Sequence, residues 1–141
     1  MTDTLTPQER SDRMARVLAK DTKPEMLVRR VIHSMGYRYR LHRRDLPGCP
    51  DIVFPARRKV IFVHGCFWHR HGKQCPLTRW PKSKMDFWRP KLEANRARDK
   101  RNQHELNVLG WGWLVVWECE LRDREYLRMK IKEFLDDGES A

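Results

Sequence analysis

Apolar side chains recur at helical spacing in three stretches of the chain. The first follows a helix start in which Thr22 is the cap, Pro24 the first helical residue and Glu25 an early carboxylate. Its apolar stripe comprises Leu27, Val28, Val31, Ile32 and Met35. We predict helices over residues 24–35, 91–109 and 123–135. The second should follow a turn at 83–87 and a break at Pro90, and Gly110 should close it.

Short runs of β-branched and aromatic residues predict strands over residues 37–41, 51–54, 59–63 and 111–117. With a basic helical arm over residues 7–20, the order becomes α-α-β-β-β-α-β-α. This order predicts an α/β fold with a mixed sheet flanked by helices. The length of 141 residues fits a single domain, to which residues 1–20 would add an arm that contacts DNA.

Basic residues dominate the charge. Lys and Arg number 30 against 19 Asp and Glu, a net charge of +11, and they recur along the whole chain. We expect a polyanionic partner, first of all a nucleic-acid backbone, although simple solubility is the alternative. The sequence lacks a run of about 18 apolar residues and an apolar signal segment, so we expect a cytoplasmic, nucleoid-associated protein without membrane contact.

Cysteine and histidine are concentrated in residues 64–75, read His-Gly-Cys-Phe-Trp-His-Arg-His-Gly-Lys-Gln-Cys. Cys66, His71 and Cys75, with the distant Cys119, have the composition of a structural zinc site, which needs four protein ligands. The alternative is three small buried hydrophobic residues and a surface histidine. Cys49 has no partner in this scheme.

Three carboxylates are candidates for chemistry. If residues 51–54 and 59–63 form a hairpin, Asp51 lies near His64, and a carboxylate beside phosphate is the usual way to hold Mg²⁺. Asp51 is equally explained as a turn or cap residue. Asp99 lies on the apolar stripe of its predicted helix, but a salt bridge would explain it as well. Glu25 is accounted for by the helix dipole.

Two aromatic pairs lie among basic residues. Phe67 and Trp68 belong to the histidine-rich segment, and Phe87-Trp88 is flanked by lysines and arginine. Apolar side chains framed by cations can unstack base steps, which costs least at a mismatched base pair. The alternating tryptophans of residues 111–117 more readily indicate packing within the sheet.

Three motifs of the chain together carry a resemblance to a known family. They are Leu-Pro-Gly-Cys-Pro-Asp-Ile-Val at 46–53, Phe-Val-His-Gly-Cys-Phe-Trp-His at 62–69 and Val-Trp-Glu-Cys at 116–119. In these motifs the chain resembles the very short patch repair (Vsr) DNA mismatch endonucleases. The resemblance extends from residue 10 to about residue 124. It implies a restriction-endonuclease-like fold and an enzyme that nicks double-stranded DNA 5′ to the thymine of a T:G mismatch, which arises when 5-methylcytosine deaminates.

The resemblance also implies roles for individual residues. Asp51 and the backbone carbonyl of Val63 would bind a catalytic Mg²⁺, and Cys66, His71, Cys75 and Cys119 a structural Zn²⁺. The catalytic set would be Asp51, His64, His69, Glu25 and Asp99. The intercalating wedge would be Met14, Phe67, Trp68 and Trp88. We expect the protein to act as a monomer and to contact other DNA mismatch repair proteins.

The chain departs from the family pattern in two places. Gly72-Lys73-Gln74 lengthens the stretch before Cys75, and Val63 replaces a threonine. The main alternative is a zinc-stabilised module that recognises distorted duplex DNA without cutting it. A ββα-metal nuclease is a third hypothesis, which Cys66 and Cys75 disfavour because they suit structural zinc.

Overall fold

The computed structural model describes residues 22–72, 75–78 and 80–136. Its helices are α1 (Lys23–Ser34), α2 (Cys66–His69), α3 (Met85–Val108) and α4 (Arg124–Asp136). Its strands are β1 (Arg40–Leu41), β2 (Ile52–Phe54), β3 (Lys59–His64) and β4 (Gly112–Trp117). Short 3-10 helices cover Pro55–Arg57, Pro76–Thr78 and Glu118–Arg122. The predicted basic arm at 7–20 lies outside the described residues.

The four strands form one sheet in the order β1-β2-β3-β4. β1 pairs with β2 and β2 with β3 in antiparallel fashion, whereas β3 and β4 are parallel. Parallel neighbours need a crossover, and α3 supplies it. The predicted hairpin and mixed sheet are therefore confirmed.

Helices cover both faces of the sheet. α1 and α4 pack on one face through Val28, Ile32, Leu127 and Ile131, while Leu106 of α3 lies on the other. Strands buried on both faces are apolar at nearly every position, as β2 and β3 are. Trp111, Trp113 and Trp117 pack against the α3 face, as expected for sheet packing. In the part of the chain that is described, no helix is long and apolar enough to cross a membrane.

Two predicted boundaries are wrong. α3 begins at Met85, and Pro90 lies inside the helix instead of breaking it. A proline in a helix interior costs about 3 kcal/mol, so the contacts of Phe87 and Trp88 with neighbouring rings must outweigh that local preference. Of the strand predicted over residues 37–41 only Arg40–Leu41 pairs, with Val53 and Ile52 of β2.

The cap of α1 follows the prediction. The Thr22 hydroxyl accepts a hydrogen bond from the Glu25 backbone N–H at 3.3 Å. The cap fixes the first turn of α1, and Glu25 is only 2% exposed there. The sequence pattern at Thr22 thus places a carboxylate inside the protein.

Candidate active site and nucleic-acid interface

The short helix α2 carries side chains of three chemical kinds within one turn. It begins after Gly65 and is capped at its carboxyl end by Arg70, whose φ of +55° is left-handed. Because successive helical residues are rotated by about 100°, neighbouring side chains leave a short helix in different directions. Cys66 is buried, Phe67 and Trp68 contact other aromatic rings, and His69 contacts α3.

The Cys3His cluster consists of Cys66, His71, Cys75 and Cys119, whose ligand atoms lie within 4.8 Å of one another. The Nδ1 atom of His71 is 3.7 Å from the sulfur of Cys66 and 3.4 Å from that of Cys119. A tetrahedral zinc site with ordinary bond lengths separates sulfur and nitrogen ligands by about 3.6 Å. The donor set and its spacing therefore fit a tetrahedral metal ion.

Neighbouring groups act on the individual ligands of the Cys3His cluster. The His71 ring stacks on Trp117, with ring centres 4.2 Å apart. Burial raises the pKa of the Cys66 thiol to about 12, with hydrogen bonds to the other cysteines acting in both directions. A bound metal would remove that proton, since only the thiolate is a ligand. Residues 73 and 74 lie outside the described residues, but Cys75 is within the cluster.

The His–Asp group consists of His64, His69 and Asp99. The Nδ1 atom of His69 is 2.5 Å from a carboxylate oxygen of Asp99, so that nitrogen carries the shared proton and Nε2 remains for other partners. The imidazoles of His64 and His69 stack face to face, 3.8 Å apart and 8° from parallel. Metal-binding lone pairs lie in the ring plane, so stacked rings converge poorly on one ion. A histidine whose Nδ1 is held by a carboxylate can instead serve as a general acid or base through Nε2.

His64 is the more enclosed of the two imidazoles. It is 5% exposed, and its Nδ1 atom has no hydrogen-bond partner among the described residues. Burial lowers the pKa of His64 to about 3; the neighbouring His69 acts in the same direction and Asp99 in the opposite one. His69 is therefore the better placed of the two to exchange protons with a substrate.

The Asp51 group consists of Glu25, His42 and Asp51, with Arg29 beside them. Asp51 accepts a hydrogen bond from the Val63 backbone N–H at 2.8 Å, which fixes the carboxylate against β3. Burial raises the pKa of Asp51 to about 8; the Val63 N–H lowers it and the Glu25 carboxylate raises it further. Two buried carboxylates that repel each other favour a bound divalent cation.

The aromatic cluster consists of Phe67, Trp68, Phe87 and Trp88. Phe67, Trp68 and Trp88 form a triangle with ring centres 5.2 to 5.9 Å apart, in edge-to-face contacts. Phe87 adds a fourth ring, 5.1 Å from Trp88, and is 53% exposed. The ammonium group of Lys91 lies within 5.8 Å of the centres of Trp68 and Phe87. An apolar surface is thus bordered by positive charge.

Arg70 connects the aromatic cluster to the rest of the site. Its guanidinium donates to the carbonyl oxygens of Phe67, at 3.3 Å, and Thr78, at 2.5 Å. It also lies 3.9 Å from the ring centre of Trp80. Because Arg70 is only 8% exposed, its chief contribution is to hold α2 in place.

Comparison with known proteins places this arrangement in a family. The family model described as "DNA mismatch endonuclease Vsr" matches residues 2–76. The Type II nicking enzyme V.XorIIP of Xanthomonas oryzae pv. oryzae is 55% identical over 136 residues, which cover 96% of this chain and 98% of that protein. The chain belongs to the Vsr family. The resemblance seen in the three motifs is confirmed.

Two further relatives agree with this assignment. The Type II nicking enzyme V.NmeAIP of Neisseria meningitidis serogroup A is 42% identical over 141 residues, which cover 100% of this chain and 99% of that protein. The DNA mismatch endonuclease Vsr of Escherichia coli K12 is 40% identical over 127 residues, covering 90% of this chain and 80% of that protein.

A solved structure supports the fold. The catalytic domain of the homing endonuclease I-Bth0305I superposes with a TM-score of 0.55 at 20% identity, covering 81% of this chain and 94% of that one. The likeness confirms the restriction-endonuclease-like class, a central mixed sheet flanked by helices. The Cys3His cluster, which could hold a metal, lies at the end of the parallel pair of strands.

The five catalytic residues expected from the Vsr family lie in two groups. Asp51 and Glu25 lie in the Asp51 group, whereas His64, His69 and Asp99 form the His–Asp group. The backbone of Val63 joins them, since it bonds to Asp51 and precedes His64. Of the intercalating wedge, Phe67, Trp68 and Trp88 are in mutual contact, and Met14 lies outside the described residues.

Three residues of the site, His42, Arg29 and Arg70, were not predicted from the sequence. His42 could have been found from register, because it follows β1 at the position opposite Asp51. Arg29 is four residues after Glu25, a spacing that places both on one helix face. Arg70 has no distinctive sequence signal, because basic and aromatic residues fill the whole stretch from residue 67 to residue 71.

Proposed function

We propose that this chain is a DNA mismatch endonuclease that nicks double-stranded DNA 5′ to the thymine of a T:G mismatch, in very short patch repair, by Mg²⁺-dependent hydrolysis. One observation carries the proposal: α2 joins a Cys3His ligand, two rings of the aromatic cluster and the His–Asp group in four consecutive residues. Recognition of a distorted base pair and cleavage of the backbone would then be coupled by a single rigid element. Family membership supports it.

The aromatic cluster supports recognition of a mismatch. Inserting rings between base pairs costs a few kcal/mol per step, and less where pairing is already weak. Phe67 and Trp68 would enter the stack from α2, while Trp88 supports them from α3. The net charge of +11 would supply the sequence-independent attraction to phosphates.

The Asp51 group would hold the catalytic Mg²⁺. The carboxylates of Asp51 and Glu25 offer the oxygen ligands that this ion prefers, and the backbone carbonyl of Val63 is a further candidate. When bound, Mg²⁺ would polarise the scissile phosphate and lower the pKa of a bound water. Asp51 and Glu25 would hold the ion at the end of β3.

The His–Asp group would move protons. Asp99 fixes the Nδ1 proton of His69, so the Nε2 atom of His69 is available to the attacking water or the leaving oxygen. His64 supports the His69 ring from one face at 3.8 Å and keeps water from it. It would also help to stabilise the phosphate once DNA covers the site.

Zn²⁺ in the Cys3His cluster would have a structural role. Four protein ligands leave no position for water, so such an ion binds no substrate. It would tie Cys66 of α2 to Cys119, the second residue past the end of β4. The helix that carries the aromatic rings would thereby be fixed to the sheet.

The experiment combines metal and carboxylate dependence. A labelled duplex with a T:G mismatch is incubated with zinc-loaded protein and either Mg²⁺ or EDTA, and strand breaks are measured on a denaturing gel. We expect a nick with Mg²⁺ only, abolished in Asp51→Asn and retained in Asp45→Asn, because Asp45 is exposed and pairs with Arg43 instead. Binding without any nick would instead identify a non-catalytic DNA-binding module.

A further inference from the structure

His42 lies beside Asp51 because of the sheet register. β1 and β2 pair Arg40 with Val53 and Leu41 with Ile52, so the next antiparallel position brings His42 opposite Asp51. The His42 backbone N–H donates to the Asp51 carbonyl at 3.2 Å. The φ of His42 is +49°, in the left-handed region that histidine, asparagine and aspartate tolerate better than most residues. The imidazole thereby reaches the buried carboxylates.

The hydrogen bonds of Arg29 assign the tautomer of His42. The Nη2 atom of Arg29 is 2.9 Å from Nε2 of His42 and also donates to Oε2 of Glu25. A guanidinium group only donates hydrogen bonds, so Nε2 of His42 is an acceptor and its ring proton is on Nδ1. A lone pair of His42 therefore faces the Asp51 group.

The spacing of the acceptors suits a metal ion. Nε2 of His42 is 3.2 Å from Oε2 of Glu25. Neighbouring ligands of an octahedral ion with bonds of roughly 2.1 to 2.2 Å are about 3 Å apart. One ligand atom from each of Glu25, His42 and Asp51 lies within 4.8 Å of the others. The Nη2 atom of Arg29 contacts the Glu25 and His42 acceptor atoms.

We propose that Nε2 of His42 is a nitrogen ligand of the divalent metal at the Asp51 group, and that it gives the site a preference for Mn²⁺ over Mg²⁺. The inference rests on the proposed function, since it assumes that the Asp51 group binds the catalytic metal. Mg²⁺ strongly prefers oxygen ligands, whereas Mn²⁺, as a first-row transition metal, accepts an imidazole nitrogen beside its oxygen ligands more readily. A set of two carboxylates and one imidazole shifts the preference toward Mn²⁺, while Mg²⁺ can still bind.

Arg29 would balance the charge of Glu25 until a divalent cation binds. Glu25 is 2% exposed, so its charge needs a partner at all times. Arg29 supplies one and at the same time donates to the Nε2 lone pair of His42. An arriving divalent cation would compete with the guanidinium for these same two atoms.

The test is electron paramagnetic resonance of Mn²⁺ added to zinc-loaded, full-length protein. We expect one Mn²⁺ per chain, with electron spin-echo modulation from a directly bound ¹⁴N nucleus. In His42→Asn the modulation should disappear, and the ratio of Mn²⁺ to Mg²⁺ affinity, from competition, should fall at least fivefold. Asparagine tolerates the left-handed backbone at this position. His33→Gln, which changes an exposed histidine of α1, should behave like the wild type.

The possible failures are distinguishable. Retained Mg²⁺ binding shows that the His42→Asn variant is folded. Unchanged ¹⁴N modulation or an unchanged affinity ratio in that variant would overturn the role of His42 while leaving the metal site intact. If Asp51→Asn binds Mn²⁺ as tightly as the wild type does, the metal lies elsewhere. That result would overturn both this inference and the catalytic metal site of the proposed function.

Discussion

Asp99→Asn is the substitution that tests the proton-transfer role of the His–Asp group. The change keeps the shape of the side chain but removes its charge. His69 is 29% exposed and Asp99 19%, so solvent screens their contact only in part. At 2.5 Å the contact is a charge-assisted hydrogen bond. Such bonds contribute about 1.5 to 3 kcal/mol, and neutral ones about 0.5 to 1.5 kcal/mol.

The difference between a charge-assisted and a neutral hydrogen bond sets the expected loss of nicking rate. A positive charge that develops on His69 in the transition state would lose about 1 to 2 kcal/mol of stabilisation, which corresponds to a rate roughly 5- to 30-fold lower. The assay is nicking of a T:G duplex under single-turnover conditions, with enzyme in excess, so that product release does not affect the rate. DNA affinity, measured by fluorescence anisotropy, should not weaken.

Glu93→Gln is the matched control, because Glu93 is an exposed carboxylate on the same helix. Its nicking rate should stay within twofold of the wild type. An Asp99→Asn rate within twofold of the wild type, at an unchanged melting temperature, would refute the assignment of proton transfer to His69.

Three further substitutions test other parts of the account. Cys119→Ser should lose bound zinc and melt at least about 5 °C lower, whereas Cys49→Ser, which is exposed and outside the Cys3His cluster, should not; zinc analysis and calorimetry measure this. Arg70→Met should weaken binding to a T:G duplex about tenfold and to a matched duplex much less, since this buried guanidinium positions the aromatic cluster; equal losses in titrations of both would contradict it. Gly48→Ala should cost about 1 to 2 kcal/mol more stability than Gly36→Ala in urea unfolding, because both have positive φ but only at Gly48 would the new methyl group meet neighbours at 3.0 to 3.2 Å.

The sheet was predictable because its strands carry their own pattern. β2, β3 and β4 are runs of β-branched and aromatic residues, and the turn between β2 and β3 is too short for anything but a hairpin. The cap at Thr22 likewise uses only local chemistry. Local signals of this kind depend on few distant contacts and can therefore be read from sequence.

The start of α3 was not predictable from local signals. Pro90 disfavours a helix through that position, yet Trp88 contacts Phe67 and Trp68, which are 21 and 20 residues earlier in the chain. A tertiary contact of this sort leaves no periodic pattern of residues in the sequence. α2 was also missed as a helix, because four residues are too few to show a helical pattern.

The candidate site was only partly predictable for the same reason. The Cys3His cluster follows from residue types with strong chemistry, although Cys119 comes from far along the chain. His42 and Arg29 have no distinctive neighbours in the sequence. They join Asp51 only through the pairing of β1 with β2 and through one turn of α1.

The proposed role of α2 is to couple unstacking of a mismatched base pair to cleavage beside it. The most direct measurement compares nicking of three otherwise identical duplexes, carrying T:G, T:A or C:G at one position, with each strand labelled separately and Mg²⁺ present. We expect one nick, in the thymine-containing strand of the T:G duplex and directly 5′ to that thymine, at a rate far above that of both matched duplexes. Equal cutting of matched and mismatched DNA, or breaks in both strands, would contradict it.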